Sequence, residues 1–127
     1  MIAVDTSALM AIILDEPEAG ACIRAIEVED DLVISSGTVA EALIVAARRN
    51  VGEEMARLID GLGFEIVSVT PASARRIAMA YESWGKGIHP AGLNFGDCFA
   101  YEVAKEHVCR LLYVGDDFSK TDIEGAL

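Results

Sequence analysis

Five acidic residues stand out for where they fall along the chain. Asp5 directly follows a short apolar run, Ile2 to Val4, and Asp116 and Asp117 follow another, Leu111 to Val114. Glu41 and Asp97 fall in the opening turns of segments of helical character, the first one turn past Thr38 and the second just past Asn94. Carboxylates gathered in one pocket repel one another unless a cation joins them. Hard divalent ions with oxygen ligands are the natural counter-charge, and Mg²⁺ in particular uses few carboxylates, keeps waters and reaches for substrate phosphate. Such a site can activate water and stabilise in-line attack on a phosphodiester. Zinc is disfavoured, because Cys22, Cys98 and Cys109 form no CxxC pair and neither His89 nor His107 lies at ligand spacing.

The elements that must carry these acids alternate along the chain. Ile2 to Val4 reads as a strand and Thr6 to Leu14 as a helix capped by Thr6 or Ser7. Pro17 suits the first position of a second helix running to about Val28. Leu32 to Ser35 is a buried-strand candidate, Thr38 to Arg49 a helix closed by Asn50, and Gly52 to Leu62 another helix, bounded by Gly61 and Gly63. Phe64 to Val69 reads as a strand and Pro71 to about Trp84 as a helix. The glycines and Pro90 of Gly85 to Gly92 make a loop. Asn94 then caps a helix from Phe95 to His107, and Leu111 to Val114 is the last strand before the acidic turn Gly115-Asp116-Asp117. Short apolar strands alternating with helices predict an α/β sandwich around a mostly parallel sheet. Ligands of such sheets collect at the carboxyl ends of the strands, so Asp5, Glu41, Asp97 and Asp117 are predicted to ring one pocket there.

Length and composition bound this reading. The 127 residues suit one domain, 1–127. Hydrophobic residues make up 53% of the chain, too many for a disordered acidic tail. The net charge of −11 argues against a protein that grips nucleic acid through a basic surface. Three lone thiols and an N-terminus without a secretory pattern fit the cytoplasm. The longest apolar run, Ala8 to Leu14, is too short to span a bilayer.

Each acid also has a plain structural reading. An Asp after a strand often caps a helix or forms a turn, and an acid in a first helical turn serves the helix dipole. His89 and His107 read as loop and helix-end histidines, Cys98 as a small core residue, and Arg48 and Arg49 as a helix C-terminus with at most a minor RNA role. The combination is more specific than any single member, because all the acids are expected at one sheet edge.

Four segments carry a family resemblance. Val4-Asp5-Thr6-Ser7-Ala8-Leu9, Val39-Ala40-Glu41, Leu93-Asn94-Phe95-Gly96-Asp97-Cys98 and Gly115-Asp116-Asp117-Phe118-Ser119-Lys120-Thr121-Asp122 resemble the PIN-domain toxins of the VapC type. The resemblance covers nearly the whole chain in order. It implies a PIN-like fold and a Mg²⁺- or Mn²⁺-dependent endoribonuclease, the toxin of a type II toxin–antitoxin pair. It also implies RNA as substrate, a cognate antitoxin as partner and a homodimer. Asp5, Glu41 and Asp97 match the acidic positions of the family motif, and Asp117 aligns best with the fourth, with Asp116 adjacent and Asp122 close behind. The resemblance casts Asp5, Asp97 and Asp117 as metal ligands and Glu41 as holding a second ion or positioning the attacking water. Thr6, Ser7, Asn94 and Asp122 would orient them. One departure is the loop Lys86-Gly87-Ile88-His89-Pro90, which lacks a further basic residue near Ile88.

Two other classes compete. A phosphoryl-handling α/β domain, of the phosphatase or receiver kind, would also use Asp5, Thr6 and Lys120. It would need a second acid at position 3, which is Ala3, or an acidic pair after the first strand. A catalytically inactive PIN-fold module that only binds an antitoxin would have no need of the intact acidic set.

Overall fold

The computed structural model describes all of residues 1–127. Four strands form one sheet in the order β3-β2-β1-β4: β1 is Ile2–Val4, β2 Leu32–Ser35, β3 Glu65–Val67 and β4 Arg110–Leu112. Helices α1 (Thr6–Ile13) and α2 (Ala19–Glu27) join β1 to β2, and α3 (Ser36–Arg48) and α4 (Gly52–Leu62) join β2 to β3. Helices α5 (Pro71–Trp84) and α6 (Phe95–Glu106) carry the chain from β3 at one edge to β4 at the other. All three pairings are parallel, with Ala3 opposite both Val33 and Leu111, and Ile34 opposite Ile66. The expected sandwich is present, and its sheet is wholly parallel.

The strand residues sort by the two-residue period of a pleated sheet. Ile2, Val4, Ile34 and Leu112 face one core, against Leu9 of α1, Cys22 of α2, Ala42 of α3 and Met55 of α4. Ala3, Val33 and Leu111 face the other, against Ile77 of α5 and Cys98 and Val103 of α6. Both faces are covered, so the two central strands, β1 and β2, are almost entirely apolar, as buried parallel strands must be. No helix is long and apolar enough to cross a membrane.

Several element ends differ from expectation, and at all but the start of α2 a hydrogen bond decides the matter. Helix α1 is capped by Asp5 itself, whose Oδ2 accepts from the Ser7 N–H at 3.0 Å, and neither Thr6 nor Ser7 caps it. Pro17 lies in the turn before α2, which begins at Ala19. Helix α3 starts two residues early because Ser35 accepts from the Gly37 N–H at 3.2 Å. Strand β3 is only three residues long, since the Val69 N–H turns to Ser36 Oγ and Thr70 caps α5. Strand β4 spans Arg110–Leu112, short of Val114, whose N–H donates to Ser7 Oγ at 3.0 Å. Asn50 and Gly63 close α3 and α4 in left-handed conformations, φ 61° and 69°, as C-terminal signals should.

The strand order positions the site. Strands β1 and β4 are neighbours, although they are first and last in the chain. Connections leave β1 toward β2 on one side, and the chain returns to β4 on the other. The crevice at such a reversal is where open α/β sheets bind ligands. Helix α3 leaves the carboxyl end of β2, and α6 must run back from that edge in order to feed β4. Their first turns therefore face the ends of β1 and β4.

Candidate functional site

Asp5 emerges from β1 with its backbone N–H donating to the Leu112 carbonyl of β4 at 2.9 Å. It is 3% exposed. Its Oδ2 takes two hydrogen bonds from Ser7, from the backbone N–H at 3.0 Å and the hydroxyl at 2.6 Å. Its Oδ1 is buried and has no hydrogen-bond partner. The capping explanation thus accounts for one oxygen and leaves the other. A buried carboxylate oxygen left bare carries a desolvation cost, so Oδ1 is the atom of this pocket that asks for a ligand.

Glu41 reaches the same place from the second turn of α3. Thr6 Oγ1 donates to its Oε1 at 2.6 Å. Its Oε2 lies against Gly96, where a Cβ would run into the carboxylate. Gly96 is a site-shaping residue to which the sequence reading gave no role. The available signal was a glycine inside a helix, which costs about 1 kcal/mol relative to alanine and so points to a close approach. Asp97 sits at the third position of α6 in a capping box with Asn94. The Asn94 N–H donates to Asp97 Oδ2 at 3.0 Å, and the Asp97 N–H donates to Asn94 Oδ1 at 2.8 Å. That leaves Asp97 Oδ1 free of the cap.

Of the adjacent pair after β4, Asp117 is the one whose charge is felt at Asp97. The Asp116 carbonyl accepts from the Ser119 hydroxyl at 2.5 Å. Asp122 corrects the sequence reading. Its carboxylate accepts from the Tyr101 hydroxyl at 2.6 Å and from Lys105 Nζ at 3.0 Å, and it contacts none of the other acids. It fastens the chain after β4 onto α6. His89 Nδ1 accepts from the Ala91 N–H and His107 Nδ1 lies 2.9 Å from the Val103 carbonyl, so both serve local turns.

The pocket is acidic without a cation of its own. Burial pushes Asp5 up to about 7, with the charges of Asp97 and Glu41 adding to the shift against the Ser7 hydrogen bonds. Burial also pushes Asp97 up to about 6, reinforced by Asp117 and Glu41. No three His, Cys, Asp or Glu side chains close into a ready ligand shell. An ion that keeps most of its waters can be held through them by carboxylates that do not close into such a shell. The bare Asp5 oxygen, the all-carboxylate donor set and the glycine that makes room for Glu41 fit such an ion.

The PIN domain family model matches residues 2–124. The chain belongs to the PIN-domain family. Within it, this PIN domain is 39% identical over 123 residues to Ribonuclease VapC30 of Mycobacterium tuberculosis, covering 94% of each chain. It is 37% identical to Ribonuclease VapC28 of the same organism, with 98% and 96% covered, and 38% identical to Ribonuclease VapC of Mycolicibacterium smegmatis, with 94% and 95% covered. It is a PIN toxin of the VapC type. Among solved structures, Mycobacterium tuberculosis VapC20, described as a Sarcin-Ricin loop cleaving toxin, superposes with a TM-score of 0.79 at 16% identity over 97% and 96% of the chains. A chain of a toxin–antitoxin complex from Klebsiella pneumoniae gives 0.72 at 19% identity over 96% and 93%. At those identities the likeness concerns the PIN fold.

Proposed function

We infer that this VapC-type toxin is an endoribonuclease that hydrolyses RNA phosphodiester bonds at the acidic pocket with a divalent ion, Mg²⁺ or Mn²⁺. The observation that carries the reading is the buried, unpartnered Oδ1 of Asp5 at the crevice between β1 and β4. Asp5, Asp97 and Asp117 would hold the ion, directly or through water, with Asp116 at the pocket's margin. When bound, the ion supplies charge neutralisation at the phosphate and a lowered pKa for the attacking water.

The chain's own groups set the geometry. Ser7 locks Asp5 in one rotamer, and its link to the Val114 N–H ties that rotamer to the end of β4. The Asn94 box orients Asp97. Thr6 holds Glu41, which would position the attacking water or help hold a second ion. Hydrogen bonds from outer partners of this kind are worth about 10- to 100-fold in affinity or activity at metal sites. A cognate antitoxin in the same cytoplasm keeps the toxin silent, and the working unit is a homodimer. A basic antitoxin segment would find its counter-charge in the pocket.

The test is cleavage of structured RNA by the purified protein with Mg²⁺ or Mn²⁺. Asp5→Asn is expected to abolish it, and EDTA to stop it. Cleavage that survives either change overturns the reading.

A further inference from the structure

The helix that carries Asp97 also carries an aromatic ring that nothing in the chain covers. Phe95, the first residue of α6, is 72% exposed. Its ring is nonetheless held, edge-on against Phe99 with centroids 4.9 Å apart at 82°. Phe99 in turn packs so closely on Gly37 at the start of α3 that a Cβ there would collide with it. Beside Phe95 lies a depression of about 340 Å³ whose walls include Ala40, Ile44, Phe99 and Glu41. The apolar hollow and the acidic pocket therefore share a wall, Glu41.

Helix α3 extends this surface outward. Glu41, Ile44, Val45 and Arg48 recur at spacings of three and four and so form one stripe. Ile44 is 61% exposed. Arg48 makes no ion pair, unlike Arg57, Arg76, Lys105 and Arg110 and like Arg24, Arg49, Arg75, Lys86 and Lys120; what sets it apart is its place on the stripe that leads from Glu41. Seven residues of helix put Arg48 about 10 Å along the axis from Glu41.

We propose that Phe95 is a stacking platform for one unstacked base of the RNA next to the scissile phosphate. The base lies over the Ile44 hollow, and a phosphate further along the strand meets Arg48. The inference rests on the ribonuclease reading of the acidic pocket. A chain of net charge −11 cannot hold RNA mainly through cation–phosphate contacts, and stacking on an aromatic ring needs no charge. The hollow is at the small end of small-molecule sites, a size that suits a single base, and a second apolar hollow of about 420 Å³, walled by Ala74, Ile77 and Tyr81, flanks Phe95 on the side of α5. A ring already fixed by Phe99 loses little freedom when a base settles on it.

Cut sites would be mapped by sequencing on a pool of RNA hairpins with Mg²⁺. An oligonucleotide spanning one site would then be made with single abasic riboses at successive positions. Phe95→Ala is expected to lower kcat/KM on the intact oligonucleotide by about fivefold to a hundredfold, mainly through KM. Phe95→Trp should retain activity. At one position, removing the base should cost the wild type a similar factor and cost Phe95→Ala nothing further, because the two changes remove the same contact. Arg48→Ala should weaken all these substrates alike and reduce the salt dependence of binding by about one charge. Val28→Ala, at an exposed position ending α2, should change nothing. Wild-type cleavage by Phe95→Ala, or losses that simply add at every abasic position, overturns the proposal. So does a fall in oligomeric mass of Phe95→Ala by light scattering, which would assign the ring to a contact between copies of the chain. If the wild type cuts nothing in the pool, the ribonuclease reading falls and this inference with it. If it cuts and only the Phe95 results disagree, this inference alone falls.

Discussion

The two edges of the sheet handle the same kind of side chain in opposite ways. At the amino edge, Glu29 accepts from the α-amino group of Met1 at 2.7 Å and from Arg110 at 3.1 Å. Those contacts, the amino group first, hold its carboxyl below the usual carboxylate range. Near the same end of the molecule, Asp122 is lowered by the Tyr101 hydroxyl and by Lys105. At the carboxyl edge, burial first and neighbouring acids second raise both Asp5 (Asp97 and Glu41) and Asp97 (Asp117 and Glu41), and no Lys or Arg forms an ion pair with either. Matched charge ties elements together and asks for nothing more. Unmatched buried charge costs stability, and it persists where a ligand supplies the missing partner. The difference separates acids that build the fold from acids that the fold holds ready for use.

The largest effect that can break this comparison is the pH dependence of metal binding. Asp5 and Asp97 must lose their protons to become ligands, and their values are about 7 and about 6. Affinity for Mn²⁺ in calorimetric titration is therefore expected to rise with pH through that window and to level off above it. Between pH 8 and pH 5 it should fall on the order of a hundredfold or more. A flat profile would place the ion elsewhere.

A pair of glycines sharpens the contrast next. Gly96→Ala pushes into Glu41, whereas a Cβ on Gly61 in α4 meets nothing within 4 Å. RNA cleavage by Gly96→Ala should drop by about 10- to 100-fold, as expected when the support of a site group is disturbed. Gly61→Ala should cleave normally and gain about 0.5–1 kcal/mol in denaturant unfolding, the helical advantage of alanine over glycine.

The smallest effect concerns stability at the two edges. Asp5 has a raised folded-state value, so it favours the metal-free fold fully only below about 4 and progressively less as pH rises toward about 7. At pH 8 without metal, Asp5→Asn should gain about 1–2 kcal/mol, a stability increase bought by the loss of function. Glu29 has a lowered value, so its contribution is present above its unfolded value and is lost as pH falls through the folded one. Glu29→Gln should lower Tm slightly at pH 8, less so in high salt, and leave RNA cleavage unchanged. Opposite signs for the two variants support the comparison. Equal destabilisation would erase it.

Much of this was legible from the order of residues because it depends on neighbours. Six helices and four strands were each expected close to where they lie, since apolar periodicity and caps act within a few residues. The Asn94–Asp97 box is of this kind. The starts of α1 and α3 were moved by caps two residues away, Asp5 with Ser7 and Ser35 with Gly37, whereas at Val114 and Asp122 a partner distant in sequence took the hydrogen bond. Val114 was expected to extend a strand, yet its N–H is drawn to Ser7, 107 positions away. Asp122 was expected near the acids because it is close to Asp117 in sequence, yet Tyr101 and Lys105 claim it.

By itself, the sequence determined the alternation of elements, the placing of an acid after the first and last strands and in early turns of two helices, and a family resemblance that the matched family bears out. These follow from side-chain periodicity and local capping, which need no knowledge of which strand lies beside which. Only the tertiary structure decided the order β3-β2-β1-β4, and with it the crevice between the first and last strands. It alone set Thr6 on Glu41 across 35 residues, pressed Glu41 onto Gly96 and left one oxygen of Asp5 bare. Long-range packing chooses which polar atoms find partners, so it also chooses which one is left for a ligand.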